Sequence, residues 1–230
     1  MHKYACYCVT RNIYHKVIPS LKSLLKNSDV DTVYILAEDA DLGFPLPTDR
    51  VKVIDVSGQE FFPPTGPNYG CMWTWMVMMK VALCHILPDV DRILTLDCDT
   101  IVLKDISDLW NFDLGGGYFA ASREVHRDFK VKVYVNCGVM LWDLDRMRDG
   151  KADEVIRALN TKRYQFCEQD CLSELCQGHF AVMPSMYNAC RFTAQSWDPR
   201  IRHYAAEAGW YEREPDVKSW RDMPWEEVLK

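Results

Sequence analysis

Short apolar runs alternate along this chain with segments whose apolar residues recur at helical spacing. Residues 3–9 (KYACYCV), 32–37 (TVYILA), 51–56 (VKVIDV) and 92–96 (RILTL) read as buried strands. Over residues 14–26, Val17, Ile18, Leu21, Leu24 and Leu25 mark one helix face. The stretch Phe61 to Asn68 carries Pro63, Pro64, Gly66 and Pro67, which predicts a loop. A long helix is expected from about Gly70 to His85, with Pro88 beyond it. After Gly115-Gly116-Gly117 come predicted strands at 118–122 and 133–142 and helices at 151–160, 169–177 and 217–229. Short extended pieces fall at 100–103, 179–183 and 200–205. Strands alternating with helices imply an α/β fold, a mixed and mostly parallel sheet with helices on both faces. Ligands bind such sheets beyond the carboxyl ends of the strands. The informative positions are therefore Thr10 to Asn12, Asp97 to Asp99 and Asn136 to Gly138.

Composition narrows the chemistry. With 230 residues, 48% of them hydrophobic, the chain suits one domain with a sizeable core. Its net charge of −6 argues against a broad electrostatic grip on nucleic acid, so a phosphate-bearing ligand would need local cations. Met1-His2-Lys3-Tyr4 leads straight into a strand, without the charged and then apolar opening of an export signal. A reducing cytoplasm and free thiols are expected for the ten cysteines. Neither Cys6-x-Cys8 nor Cys167-x3-Cys171-x4-Cys176 forms the paired spacing of a zinc site. The most apolar stretch, Tyr69 to Met79, is too short for a membrane span and ends at Lys80.

Asp97 and Asp99 follow an apolar strand and flank one residue, so extended backbone would point both carboxylates to one side. Like charges that close repel, and a divalent cation relieves them; oxygen ligands suit Mn²⁺ or Mg²⁺. The bland reading is that Asp99 caps a turn and Asp97 pairs with Arg92 or another base. Lys80 sits in apolar company, where a lysine either snorkels to water or serves a site. Asn136 interrupts an apolar run, and Gly138 marks either a bulge or a close approach by a ligand. Glu168 and Asp170 suit the start of a helix whatever the function. Thr10 and Asn12 could cap a strand-to-helix turn.

The segment Asp91-Arg92-Ile93-Leu94-Thr95-Leu96-Asp97-Cys98-Asp99-Thr100-Ile101-Val102-Leu103 resembles the D-x-D region of the family 8 glycosyltransferases. The resemblance continues in family order through Asn136-Cys137-Gly138-Val139-Met140-Leu141, Glu168-Gln169-Asp170 and the segment around His203. It implies a GT-A fold, with residues 1–104 as nucleotide-binding half, 105–205 as acceptor and sugar half, and 206–230 as a C-terminal tail. By the same resemblance Asp97, Asp99 and His203 would hold Mn²⁺ (or Mg²⁺), with Cys98 inside the motif, and the metal would take the diphosphate of a UDP-sugar. Lys80, Asn136, Cys137, Gly138 and Glu168 would line the donor sugar, and Gln169 would lie beside the anomeric carbon, with Asp170 a weaker catalytic candidate. Thr10, Asn12 and Tyr14 would receive uridine. Two departures stand out. Ala206 occupies a family glycine position and Gly209 the position of a phosphate-binding lysine, a role left to Lys218 further on.

The implied activity is metal-dependent, retaining transfer of a hexose from UDP-glucose or UDP-galactose to a hydroxyl acceptor, whether glycan, lipid-linked or protein. The rival readings are a nucleotidyltransferase and a non-catalytic binder of sugar nucleotide or glycan. The aromatic C-terminal stretch, Trp197, Tyr204, Trp210, Tyr211, Trp220 and Trp225, could stack on sugar faces or serve as packing.

Overall fold

A computed structural model describes residues 2–46, 48–125 and 131–230. Its strands are β1 (Tyr4–Val9), β2 (Thr32–Ala37), β3 (Val51–Asp55), β4 (Arg92–Leu96), β5 (Thr100–Val102), β6 (Phe119–Arg123), β7 (Val135–Asp143), β8 (Ala181–Val182) and β9 (Ile201–His203). Seven of them form one sheet in the order β3-β2-β1-β4-β7-β6-β8. β1, β2, β3 and β4 run parallel, and β7 is antiparallel to both β4 and β6. The order reverses at β1, with β2 built to one side and β4 to the other. A crevice opens at such a reversal, beyond the carboxyl ends of the strands.

The helices are α1 (Val17–Asn27), α2 (Leu83–Ile86), α3 (Leu144–Arg146), α4 (Ala152–Thr161), α5 (Cys167–Leu175), α6 (Trp210–Arg213), α7 (Pro215–Asp222) and α8 (Trp225–Val228). They cover both faces of the sheet, as the alternating pattern implies. One apolar layer gathers Met76, Met79, Trp142, Leu159 and Leu172. The other gathers Leu21, Leu24, Ile35, Leu94 and Trp110. All ten cysteines are free thiols. Among the described residues no helix is long and apolar enough to cross a membrane.

Two helices differ from the sequence expectation. Residues 70–74 are turn and loop; the chain becomes helical at Trp75 as a tight 3₁₀ segment to Ala82, and α2 adds a single α turn. That segment is apolar on nearly every side and buried, so tertiary packing rather than an amphipathic face sets its winding. The expected C-terminal helix is two helices, because Pro224 has no N–H to continue the first. Pro215, with its φ already helical, starts α7 earlier than expected.

A second, two-stranded sheet pairs β5 with β9 antiparallel, setting Thr100 opposite His203. It is fastened to the main body by polar residues on the buried face of α1. Ser20 shares a hydrogen bond with the Thr100 hydroxyl at 2.8 Å. The Ser23 hydroxyl accepts from Val102 N at 2.9 Å, and Asn27 donates to Val102 O at 2.7 Å. The C-terminal residues dock on the same helix, where Lys22 donates to the carbonyls of Arg221 and Met223 and lies 4.9 Å from the Trp225 ring centroid. Trp225 is therefore packing.

The two sheets meet where the His203 ring rests on Gly138 of β7: a Cβ at Gly138 would lie 2.0 Å from His203 Cε1. The close approach that the glycine permits is thus to a side chain of this chain. Gly138→Ala is expected to destabilise the fold by about 1–3 kcal/mol, the usual cost of overpacking a filled site. Equilibrium urea unfolding measures this, and an unchanged midpoint would contradict the contact.

Candidate functional site

β4 ends at Leu96, and the chain then turns instead of staying extended: Thr100 N and the Thr100 hydroxyl both bond Asp97 O, at 3.2 and 2.8 Å. Asp97 and Asp99 therefore converge through a turn, not through strand alternation. β5 starts immediately afterwards, and its pairing with β9 delivers His203 to the same place. His203 Nε2 lies 3.3 Å from Asp99 Oδ1 and 3.9 Å from Asp97 Oδ2. Each of the three side chains offers a ligand atom within 4.8 Å of the others. Two carboxylates with one imidazole nitrogen form a donor set that fits Mn²⁺.

Lys80 approaches Asp97 from the protein side. Its ammonium donates to Asp97 Oδ1 at 2.5 Å and to Cys137 O at 3.0 Å, and it lies 3.8 Å from Glu168 Oε1. Arg92 is used elsewhere, on the carbonyls of Trp110 and Phe112, so the base that pairs with Asp97 is Lys80. Burial opposes the charge on Lys80, but Asp97 and Glu168 outweigh it and raise its pKa. Burial likewise pushes the His203 imidazole down, yet Asp99 beside it prevails and lifts its pKa to about 10. For Asp99, burial acts upward and the neighbouring His203 charge holds the carboxyl below its ordinary range. Glu168 shows the opposite balance: burial pushes it up to about 7 against the pull of Lys80, and its Oε2 has no hydrogen-bond partner.

A hydrogen-bond chain runs from His203 to Gln169. His203 Nδ1 pairs with Asn188 Oδ1 at 2.8 Å, and Asn188 Nδ2 donates to Asn136 Oδ1 at 2.9 Å. Because the Asn188 oxygen accepts, the imidazole proton belongs on Nδ1 and Nε2 is turned to the carboxylates. Asn136 then donates to Glu124 Oε1 at 2.9 Å, and Gln169 Nε2 donates to the same oxygen at 3.2 Å. Cys137 N donates to Gln169 Oε1 at 3.0 Å, which fixes the amide orientation. Asn188 and Glu124 were not legible as site residues. Neither belongs to a motif; Glu124 forms an isolated bridge with Thr193 just past the end of β6.

Most of these groups, though not Lys80 or Asn188, line a cavity of about 360 Å³ at the carboxyl ends of β1 and β4. Its wall includes Asp97, Cys98, Asp99, Asn136, Cys137, Gly138, Glu168, Gln169 and His203. Other expected residues lie off the wall. Thr10 bonds Asn12 Oδ1 at 2.6 Å, and Tyr14 is buried in the apolar layer around α1; Cys8, Ile13 and Lys16 face the cavity instead. The short 3₁₀ segment Arg11–Lys16 turns Tyr14 inward, a rotation the sequence does not reveal. Asp170 accepts from the Tyr134 hydroxyl at 2.6 Å and from Phe166 N at 2.9 Å, so it braces the entry to α5. Lys218 is exposed on α7, because Val217 takes the buried position there. Ala206 adopts φ 57°, the left-handed conformation that favours glycine. The Arg213 guanidinium lies across Gly209, with Nε 2.6 Å from where a Cβ would be. Trp210 lines the cavity, Trp73 at its mouth is 49% exposed, and Trp197 is exposed elsewhere.

The sequence profile described as "Glycosyl transferase family 8" matches residues 6–209. Among curated proteins, glycosyltransferase GlyE of Streptococcus pneumoniae is 31% identical over 115 residues, 45% of this chain and 26% of that protein. Lipopolysaccharide 1,2-glucosyltransferase of Escherichia coli is 28% identical over 113 residues, 43% of this chain and 33% of that protein. The matched segments thus span about a third or less of these relatives' length. The crystal structure of GlyE superposes on all of this chain and 62% of its own, with TM-score 0.75 and 18% identity. Galactosyltransferase LgtC, crystallised with donor and acceptor sugar analogs, covers 98% of this chain and 95% of its own, with TM-score 0.66 and 18% identity. Both likenesses concern the fold, which is the GT-A type. With its profile matched over nearly the whole length, this chain belongs to glycosyl transferase family 8.

Proposed function

We propose that this chain transfers a hexose from a UDP-sugar to a hydroxyl acceptor, with retention at the anomeric carbon and with Mn²⁺ held by Asp97, Asp99 and His203. The observation that carries this reading is the meeting of those three side chains at one end of a cavity whose other wall holds Glu168 and Gln169. A divalent cation there would neutralise charge growing on the departing diphosphate. Family membership leaves the nucleotidyltransferase reading without support.

The chain's own residues divide the work. Lys80 is committed to Asp97 and to a carbonyl, so its proposed role is to position Asp97, not to contact the sugar. Asn188 holds the His203 ring with Nε2 forward. Glu168 offers a buried, unpartnered oxygen at the cavity wall, suited to accept a bond from a sugar hydroxyl. Gln169 has its amide oxygen fixed by Cys137 N and would stand beside the cation-like sugar in a front-face attack. In that attack the acceptor hydroxyl bonds the anomeric carbon on the face the diphosphate leaves, and its proton passes to the departing phosphate oxygen.

UDP release from UDP-glucose, UDP-galactose and their N-acetyl forms, followed with Mn²⁺ present, tests the reading. Turnover of at least one donor should require the metal and fall to background in Asp97→Ala. Activity that survives EDTA or that substitution would sink it, and donor binding without turnover would establish the non-catalytic reading instead. Gln169→Ala should lower kcat about 10²-fold with little change in donor KM, the mark of a group acting mainly in the transition state. Asn188→Ala should weaken Mn²⁺ binding by about 10–100-fold, read by calorimetry without any turnover.

A further inference from the structure

The cavity has a charge problem. Asp97, Asp99, Glu124 and Glu168 line it, and a nucleoside diphosphate would bring about three further negative charges next to one divalent ion. Excess negative charge of this size needs fixed cations at the point where the phosphates lie. Lys80 is spent behind Asp97, the Arg213 guanidinium lies over Gly209, and Lys218 is exposed on α7.

Lys16 is different. Among the described residues it is the only lysine or arginine on the cavity wall. It also lines the groove that continues from the cavity past Asp99 toward Tyr211. It ends the Arg11–Lys16 segment and shares the cavity wall with Ile13 and Asp99. Its ammonium makes no ion pair or hydrogen bond among the described residues; the centroid of the Tyr211 ring is 6.0 Å away. A half-buried, uncommitted lysine on the wall that also carries Asp97 and Asp99 is poised for an anion that arrives with its own charge.

Resting on the donor reading above, we propose that Lys16 is the residue that grips the diphosphate of the nucleotide, from the turn before α1. It would bond a non-bridging phosphate oxygen of the bound donor and stabilise that charge as the sugar departs. A lysine serves here as a point charge on a flexible stem, so an arginine of similar reach retains most of the effect.

Calorimetric titration of the full chain with UDP, UMP and uridine, at fixed Mn²⁺, tests this without any acceptor or turnover. Lys16→Met should weaken UDP binding by about tenfold or more, leave uridine affinity unchanged, and reduce the salt dependence of UDP binding. Lys16→Arg should recover most of the UDP affinity. Lys218→Met should bind UDP as the unsubstituted chain does. UDP affinity in Lys16→Met within about twofold of the unsubstituted chain would overturn the assignment, as would a loss in Lys218→Met in its place. If the unsubstituted chain itself binds no UDP with Mn²⁺, the donor reading fails, and this assignment with it. A failure of Lys16 alone appears only in the variant. Matching thermal melts of all four proteins show that the comparison is between folded chains.

Discussion

Two carboxylates brought together at one half-buried turn are the constraint around which this molecule is arranged. At 4 Å and an effective dielectric of about 20, two like charges repel by about 4 kcal/mol. Asp97 and Asp99 are tolerated because cationic groups answer them on the protein side, Lys80 behind the first and His203 against the second. Both cations are nearly fully buried, and each would be costly without its carboxylate. The cluster is therefore mutually dependent. What it leaves open is the cavity side, where a divalent ion could share the same oxygens and the imidazole nitrogen.

The second sheet is what makes the cluster possible across more than a hundred residues of chain. β5 begins one residue after Asp99, and its antiparallel register with β9 puts His203 across from Thr100. Ser20, Ser23 and Asn27 reach from α1 to hold β5, and Gly138 leaves the space into which the ring fits. From His203 the polar chain through Asn188, Asn136 and Glu124 arrives at Gln169. The ends of the site that would hold metal and sugar are thus mechanically linked. A change at one should be felt at the other, since buried networks of this kind tolerate little slack.

The chain covers a common fold core and modest fractions of its curated relatives. Its departures from the motifs it resembles fall at Ala206 and Gly209. There Ala206 is left-handed and Gly209 is roofed by Arg213, while the lysine that lines the cavity comes from the turn before α1.

Much of this was legible in one dimension. Apolar runs located the strands of the main sheet, because a strand buried on both faces has no room for alternation. Asp97, Asp99 and Asn136 stood out by their own context; Glu168, Gln169 and His203 were named only through a resemblance, since a lone histidine carries no signal of its own and an acid at a helix start has a reason to be there. Rotations and partners were not legible. Nothing local says that Tyr14 turns into the core while Ile13 and Lys16 face the cavity, for that depends on how a 3₁₀ segment seats against β1. Nor could Lys80 be known to stand behind Asp97, Asp170 to brace Tyr134, or Lys218 to point to water. Hydrophobic periodicity is a property of neighbours in sequence and survives any arrangement of the elements. The direction in which a polar side chain is spent depends on distant groups, and those meet it only when the sheets have closed.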